Sequence, residues 1–173
     1  TSLVLFPSYE IMREVDKYVD ALCEPNDGRK TDEFWSRLRN EDKKLVFAVS
    51  GGKLSEGVEY TIEEECKKKS VIDSVIVAGF PFPVPDFEME IKSRHYEQKF
   101  GCGRAFFLLS ILPMLNKVLQ GTGRAIRSEY DKAVIIFLDD RIEYFRYFPE
   151  EIRHELQVCS ARGIAGEVRQ FRT

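Results

Sequence analysis

The residues Leu3-Val4-Leu5-Phe6-Pro7-Ser8-Tyr9 (LVLFPSY) decide the fold class, because they describe a buried strand that passes directly into a helix. Leu3 to Phe6 is a continuous apolar run, which is typical of a parallel strand covered on both faces. Pro7 ends the strand, and Ser8 is a residue type that favours a helix N-cap. Apolar residues then recur at helical spacing at Ile11, Val15, Tyr18, Val19 and Leu22. We therefore expect a helix from about Tyr9 to Leu22 with one face on a sheet.

Strands and helices are predicted to alternate along the whole chain. Further buried strands are expected at 45–49, 71–78 and 133–138, and helices at 31–38, 86–100, 104–119, 140–147 and 150–160, followed by a polar tail. Pro113 is expected to kink the apolar helix, and the proline-rich segment 79–85 excludes regular structure. This alternation predicts an α/β fold: an open, mostly parallel sheet with helices on both faces, in which ligands bind at the carboxyl ends of the strands.

Composition limits the classes of function. A chain of 173 residues with 43% hydrophobic residues forms one domain or one lobe of a longer protein. The net charge of −3 gives no overall signal for nucleic acid, so any such binding needs a local patch. The longest apolar stretch is interrupted by polar residues and is expected to be too short to cross a bilayer. The four cysteines form no CxxC pair, so we expect no metal ligand in this chain.

The segment Gln120–Arg127 (QGTGRAIR) is the most informative for function. Arg124 and Arg127 are three apart and would share one face of a helix, and Gly121 and Gly123 would allow a tight turn before them. Paired guanidinium groups suit a polyphosphate, and such arginines neutralise charge in the transition state of nucleotide hydrolysis. The alternative is an ordinary solvated pair that contacts the acidic residues that follow.

The chain lacks the parts that hold Mg·ATP. Gly51-Gly52-Lys53 is followed by Leu54, so it is not a phosphate-binding loop with a hydroxyl for magnesium. Asp139 and Asp140 end a strand, where helix capping is the expected role. His95 and His154 have no partner pattern and are interpreted as structural or solvent-facing. These absences favour the second half of a two-lobed NTPase, which donates arginines across a cleft to a nucleotide held by the other lobe.

Three segments resemble, in order, conserved motifs of a known family. Leu5–Tyr9 resembles motif IV, Ser50–Tyr60 resembles motif V and Gln120–Arg127 resembles motif VI of the second motor domain in the XPD/DinG group of superfamily 2 DNA helicases. The resemblance covers nearly the whole chain and is closer to the XPD branch. It implies a RecA-like fold, ATP hydrolysis, 5′-to-3′ movement on single-stranded DNA, and residues 1–173 as the C-terminal motor domain of a longer protein.

The resemblance also implies roles for individual residues. Arg124 and Arg127 match the catalytic arginines that approach the γ-phosphate. The positions near the nucleotide are Gln120, Gly123, Glu56, Gly57 and Glu59. The positions near DNA are Ser8, Tyr9, Ser50, Gly51 and Lys53. Glu59 stands where the family usually has Asp, so the site is either looser or uses this acid differently.

The resemblance extends to cofactors and partners. It implies ATP and Mg²⁺ bound mostly by a first lobe, and a 4Fe-4S cluster in that lobe rather than in this chain. The expected partners are single-stranded DNA and the first motor lobe, and no membrane is involved. The protein is expected to be a monomer, located in the cytoplasm of an archaeon or in the nucleus of a eukaryote. The expected pathway is nucleotide excision repair of DNA. Two alternatives stay open: a non-catalytic module that binds nucleic acid or protein, and a different α/β enzyme such as a nucleotide-dependent transferase.

Overall fold

The computed structural model describes residues 1–25, 34, 36–38, 45–52, 61–64, 67–70, 72–126 and 131–172. It divides into two compact units, Thr1–Asp139 and Asp140–Thr173. The strands of the first unit are β1 (Ser2–Phe6), β2 (Leu22–Cys23), β3 (Leu45–Val49), β4 (Thr61–Glu64), β5 (Lys67–Ser70), β6 (Ser74–Val77) and β7 (Val134–Phe137). Its helices are α1 (Tyr9–Asp16), α2 (Phe87–Phe100), α3 (Cys102–Phe106), a π-helical turn (Phe107–Ile111) and α4 (Leu112–Thr122).

The main sheet has five strands in the order β2-β3-β1-β6-β7, and every pair is parallel. In β1, Phe6 pairs with Val49 of β3 on one side, and Leu5 pairs with Val77 of β6 on the other. Strands β4 and β5 form a separate antiparallel pair. Because the main strands are parallel, all their carboxyl ends lie at one edge, so the predicted fold class is confirmed.

Helices pack on both faces of this sheet. Val4 and Phe6 of β1 form a buried cluster with Met12 of α1 and with β3. Side chains alternate along a strand, so Leu5 points to the other face, where it contacts Gly121 of α4. Leu5 is completely buried. Burial of each such side chain contributes about 2 kcal/mol, which explains why β1 stands at the centre of the sheet.

Helix α1 is shorter than its periodicity predicts. It ends at Asp16, and Tyr18 is 85% exposed rather than packed on the sheet. Leu22 lies in β2, where it pairs with Val46. The prediction of helix as far as Leu22 was wrong, because Leu22 fits the helical spacing but lies in β2, a strand at the edge of the sheet.

The helical stretch 102–122 is longer than the predicted helix at 104–119. A π-helical turn precedes Pro113, which begins α4 instead of kinking it. By length and composition the stretch could cross a membrane, so the expectation that it is too short was wrong. However, Ile111, Met114 and Val118 are completely buried, and Gly121 contacts the sheet, as in the core helix of a folded domain.

The second unit contains a 3-10 helix (Ile142–Tyr147), α5 (Glu150–Glu155) and α6 (Ile164–Arg172). The first two confirm the predicted helical pieces. The polar tail that was expected after them is helical instead. The predicted helix at 31–38 falls largely outside the described residues. None of the candidate site residues lies in this second unit.

Candidate functional site

The carboxyl edge of the sheet carries the loops that the sequence singled out. Backbone hydrogen bonds continue beyond the strand ends: Ser50 donates to the Phe6 carbonyl at 2.8 Å, and Ala78 donates to the Leu5 carbonyl at 2.8 Å. Both bonds join a loop to the neighbouring strand. The first residues of these loops are therefore held in register with the sheet.

Ser8 caps helix α1, as predicted. Its backbone is extended, and its Oγ accepts a hydrogen bond from the Ile11 amide at 3.3 Å. This places the first turn of α1 directly beyond β1. A helix start favours anions, because its first amide groups have no partner inside the helix. Glu10 adds a negative charge in the same turn, so the electrostatic preference for an anion is reduced.

Tyr9 contacts a carboxylate that the sequence pattern did not indicate. Its phenol interacts with the side chain of Glu24, which follows β2. The pKa of the Tyr9 phenol is raised above its usual value, first by burial and then by the charge and the hydrogen bond of Glu24. The hydroxyl of Tyr9 is thus directed into the protein, and a role of this residue in DNA binding stays a prediction.

Glu24 is a buried acid at the centre of this edge. Its side chain is only 3% exposed, and Oε2 accepts a hydrogen bond from the Val49 amide at 2.9 Å. A Cβ atom placed on Gly52 would lie 2.7 Å from Oε2 and 2.8 Å from Oε1 of Glu24. Only glycine therefore fits at this approach. The available signal was an acid directly after Leu22-Cys23, but the helical periodicity concealed the strand.

Ser50 and Gly51 form the start of the turn after β3. Gly51 has φ 81, a left-handed conformation that favours glycine. The Oγ atom of Ser50 is buried and has no hydrogen-bond partner among the described residues. The Cε atom of Lys117, from α4, lies 3.2 Å from the position that a Cβ atom would take on Gly51. Lys117 was not predicted as a site residue, although it is the only lysine between Lys99 and Lys132.

The segment Gln120–Arg127 reaches the same edge, but its geometry differs from the prediction. Gly121 lies inside α4, where a Cβ atom would collide with Cδ1 of Leu5. Gly123 has right-handed helical φ and ψ and ends the helix. The expected turn before the arginines therefore begins at Gly123, whereas the prediction for Gly121 was wrong, since Gly121 serves close packing of helix on sheet.

Arg124 does not lie on helix α4, which ends at Thr122. Arg124 lies beyond the end of α4 in a turn, where its amide donates to the Gly121 carbonyl at 3.2 Å. Its side chain is half-buried, whereas Gln120 and Gly123 are exposed. Arg127, Lys53, Glu56, Gly57 and Glu59 lie outside the described residues. The structure therefore brings together Ser8, Tyr9, Ser50, Gly51 and the start of the arginine segment.

Asp139 links two other loops of this edge. Its Oδ2 accepts a hydrogen bond from the Phe80 amide at 2.7 Å, so the end of β7 is tied to the segment after β6. The following 3-10 helix has no side-chain cap. The expected capping role of Asp139 was wrong, because its carboxylate accepts the Phe80 amide instead.

No group of three potential metal ligands occurs among the residues that the structure describes. Of the free cysteines, Cys102 and Cys159 are exposed. The pKa of the Cys23 thiol is raised to about 12 by burial and by its hydrogen bond to Asp16. Cys23 is thus held as a neutral thiol, which is a poor metal ligand.

The geometry defines an α/β domain whose candidate site lies at the carboxyl edge of a parallel sheet. Residues 1–156 match the family described as "Helicase C-terminal domain", and the chain belongs to that family. The predicted resemblance is thereby confirmed at the level of family and fold.

The chain is similar to helicases from distant organisms. It is 34% identical over 147 residues to the ATP-dependent DNA helicase XPD of Sulfolobus acidocaldarius, a match that covers 82% of this chain and 25% of that protein. It is 26% identical to the ATP-dependent DNA helicase CHL1 of Kluyveromyces lactis, over 96% of this chain and 22% of that protein.

A solved structure described as "XPD_APO" superimposes with a TM-score of 0.69 at 30% identity and covers 84% of this chain and 30% of that chain. The chain spans about a quarter of the length of the curated relatives.

Proposed function

We propose that this chain is the C-terminal motor lobe of an ATP-dependent DNA helicase of the XPD type, which moves 5′ to 3′ on single-stranded DNA. The observation that carries the proposal is the meeting of three segments at one sheet edge: the start of α1, the turn after β3 and the end of α4. The family match and the named relatives support it. Residues 1–173 then form one lobe of a two-lobed protein.

On the nucleotide side, Arg124 and Arg127 act on the γ-phosphate of an ATP that the first lobe holds. Their guanidinium groups are permanently charged and offer planar donors, which suits charge that develops on phosphoryl oxygens. Gln120 and Gly123 belong to the same motif, and Glu56, Gly57 and Glu59 complete the nucleotide side by their motif positions. Bound ATP with Mg²⁺ supplies the free energy, and any 4Fe-4S cluster belongs to the first lobe.

On the DNA side, Ser8, Ser50, Gly51 and Lys53 contact the phosphate backbone of a single strand. Lys117 adds a cation, since its side chain lies over Gly51 and forms no ion pair with a described residue. Such local cations are needed because the whole chain carries a net charge of −3. Tyr9 supports this side through Glu24.

The nucleotide side and the DNA side move together, because both lie at the carboxyl edge of the same sheet. When the arginines engage a nucleotide held by the first lobe, the cleft between the lobes closes, and it opens again after hydrolysis. The DNA-side turns are bonded to the same strands, so they follow each movement of this lobe.

The test measures ATP turnover and single-strand affinity of the natural protein that contains these 173 residues. We expect Arg124→Ala and Arg127→Ala each to lower kcat about 10³-fold while the Kd for single-stranded DNA changes little. Arg94→Ala is the matched control, because Arg94 is an exposed arginine on α2 that pairs with Glu90. Full turnover in both arginine variants would refute the proposed role.

The alternative is a non-catalytic binding module with the same fold. The net negative charge favours it, as does Glu59 in place of the usual Asp. A natural protein without an upstream phosphate-binding loop, which binds single-stranded DNA but hydrolyses no ATP, would establish this alternative instead.

A further inference from the structure

We propose that Glu24 is a positioning residue that joins the turn after β3 to the start of α1, so that both turns meet DNA as one unit. The inference deepens the proposed function and rests on it, because these turns form the proposed DNA side. Neither the sequence motifs nor the family resemblance pointed to Glu24.

The first contact runs from Glu24 to the strand that leads into the turn. The carboxylate accepts the Val49 amide at 2.9 Å, and the Glu24 amide donates to the Phe47 carbonyl at 2.8 Å. A charged acceptor makes a stronger hydrogen bond than a neutral one, particularly where water is excluded. With 3% of its surface exposed, Glu24 is not a solvated surface acid.

The second contact is the close approach of the turn itself. Gly52 donates its amide to the Val49 carbonyl at 2.8 Å, which closes the turn directly over the carboxylate. Any side chain at this position would meet both oxygens of Glu24 and the Val49 carbonyl within 2.9 Å. The path of residues 50–52 is therefore shaped around Glu24.

The third contact reaches α1. Tyr9 directly follows the helix cap Ser8, and its phenol interacts with the same carboxylate. One buried side chain thus interacts with both segments of the proposed DNA side. The raised pKa of Tyr9 agrees with a hydroxyl that stays protonated as a donor to this carboxylate. Arg13 is the other charged group that acts on Tyr9, and it acts in the opposite direction.

The test uses the natural protein with Glu24→Gln, Tyr9→Phe and the double variant. Glutamine keeps the volume of glutamate. It replaces the two charged oxygens, which face the Val49 amide and the Tyr9 hydroxyl, with one neutral acceptor and an NH₂ group. The control is Glu14→Gln, an exposed acid on α1 that pairs with Lys17. The readouts are the DNA concentration that half-saturates ATP turnover, the KM for ATP and the melting temperature.

We expect Glu24→Gln to raise the half-saturating DNA concentration about tenfold, with an unchanged KM for ATP. Tyr9→Phe should raise it less, and the double variant should match Glu24→Gln alone, because both changes break one network. Additive effects, or wild-type DNA dependence in a folded Glu24→Gln protein, would overturn the inference. If DNA fails to stimulate the wild-type protein, the proposed function itself falls.

If Glu24→Gln does not fold, Tyr9→Phe decides the question alone. A shift in half-saturating DNA concentration at an unchanged melting temperature supports positioning. An unchanged DNA dependence with a lower melting temperature assigns Glu24 and Tyr9 to stability only.

Discussion

Two segments meet at the carboxyl edge of the sheet, and they are held in opposite ways. The turn at Ser50–Gly52 is held by polar contacts around the buried carboxylate of Glu24. The end of α4 is held by apolar contact, since Gly121 lies against Leu5 without space for a methyl group. Polar contacts fix the orientation of the bonded groups, whereas close packing fixes the distance between a helix and the sheet.

This difference predicts what each segment tolerates. The α4 end should respond to added volume, and the polar turns should respond to loss of an acceptor or of charge. Both kinds of change can be made with single substitutions, and their effects should differ in size.

The largest effect is expected from Gly121→Ala, which places a methyl group where Leu5 already stands. We expect the free energy of unfolding to fall by about 3 kcal/mol, because the packed core cannot accommodate the extra volume without shifting. Urea denaturation measures this change.

Gly103→Ala is the matched control for Gly121→Ala. Gly103 also lies in a helix, but a Cβ atom there meets nothing within 4 Å. Alanine should stabilise this position by about 0.5 kcal/mol through helix propensity. Equal effects of the two substitutions would show that the contact with Leu5 does not constrain α4.

A smaller effect is expected from Asp139→Ala, which removes a polar contact of the same edge. The Phe80 amide loses its charged acceptor, and we expect a loss of about 1.5 kcal/mol in the free energy of unfolding. Asp140→Ala serves as the control, because Asp140 is exposed. If both substitutions cost the same, the bond between Asp139 and Phe80 contributes nothing to stability.

The smallest perturbation is chemical labelling of Cys23, which precedes Glu24. Its pKa of about 12 leaves little thiolate at pH 8, so alkylation should be about 100-fold slower than at the exposed Cys102 and Cys159. Peptide mass spectrometry follows each cysteine separately. Labelling of Cys23 at the rate of Cys102 would mean that the segment beside Glu24 is open to solvent.

The raised pKa of Cys23 also predicts how the free energy of unfolding changes with pH. A group whose pKa is higher in the folded protein contributes stability below its ordinary pKa, and the contribution is lost as pH rises towards the folded value. The free energy of unfolding should therefore fall between about pH 9 and 12, and Cys23→Ala should flatten that fall.

Much of the fold followed from local patterns. Leu3–Phe6 was predicted as a buried strand and Ser8 as a cap, because each depends on residues next to it in sequence. The parallel order of the sheet followed from the alternation of strands and helices. What failed depended on contacts between distant residues, which periodicity does not contain.

Glu24, Gly121 and Lys117 illustrate this limit. Glu24 gains its importance from Val49 and Gly52, more than 20 residues away, and its own strand continues a helical spacing. Gly121 was interpreted as a turn residue because glycine permits turns, whereas Leu5 of a distant strand decides its use. Lys117 became a site residue only because α4 crosses the turn at Gly51.

The most direct test of the account is ATP turnover of the natural protein as a function of single-stranded DNA concentration, in wild type, Arg124→Ala and Glu24→Gln. Each variant is expected to change a different kinetic quantity. Arg124→Ala should lower the maximal turnover by orders of magnitude at an unchanged half-saturating DNA concentration. Glu24→Gln should shift that concentration and leave the KM for ATP unchanged. If both variants change the maximal turnover and the half-saturating DNA concentration in the same proportion, the division of this edge into a nucleotide side and a DNA side is wrong.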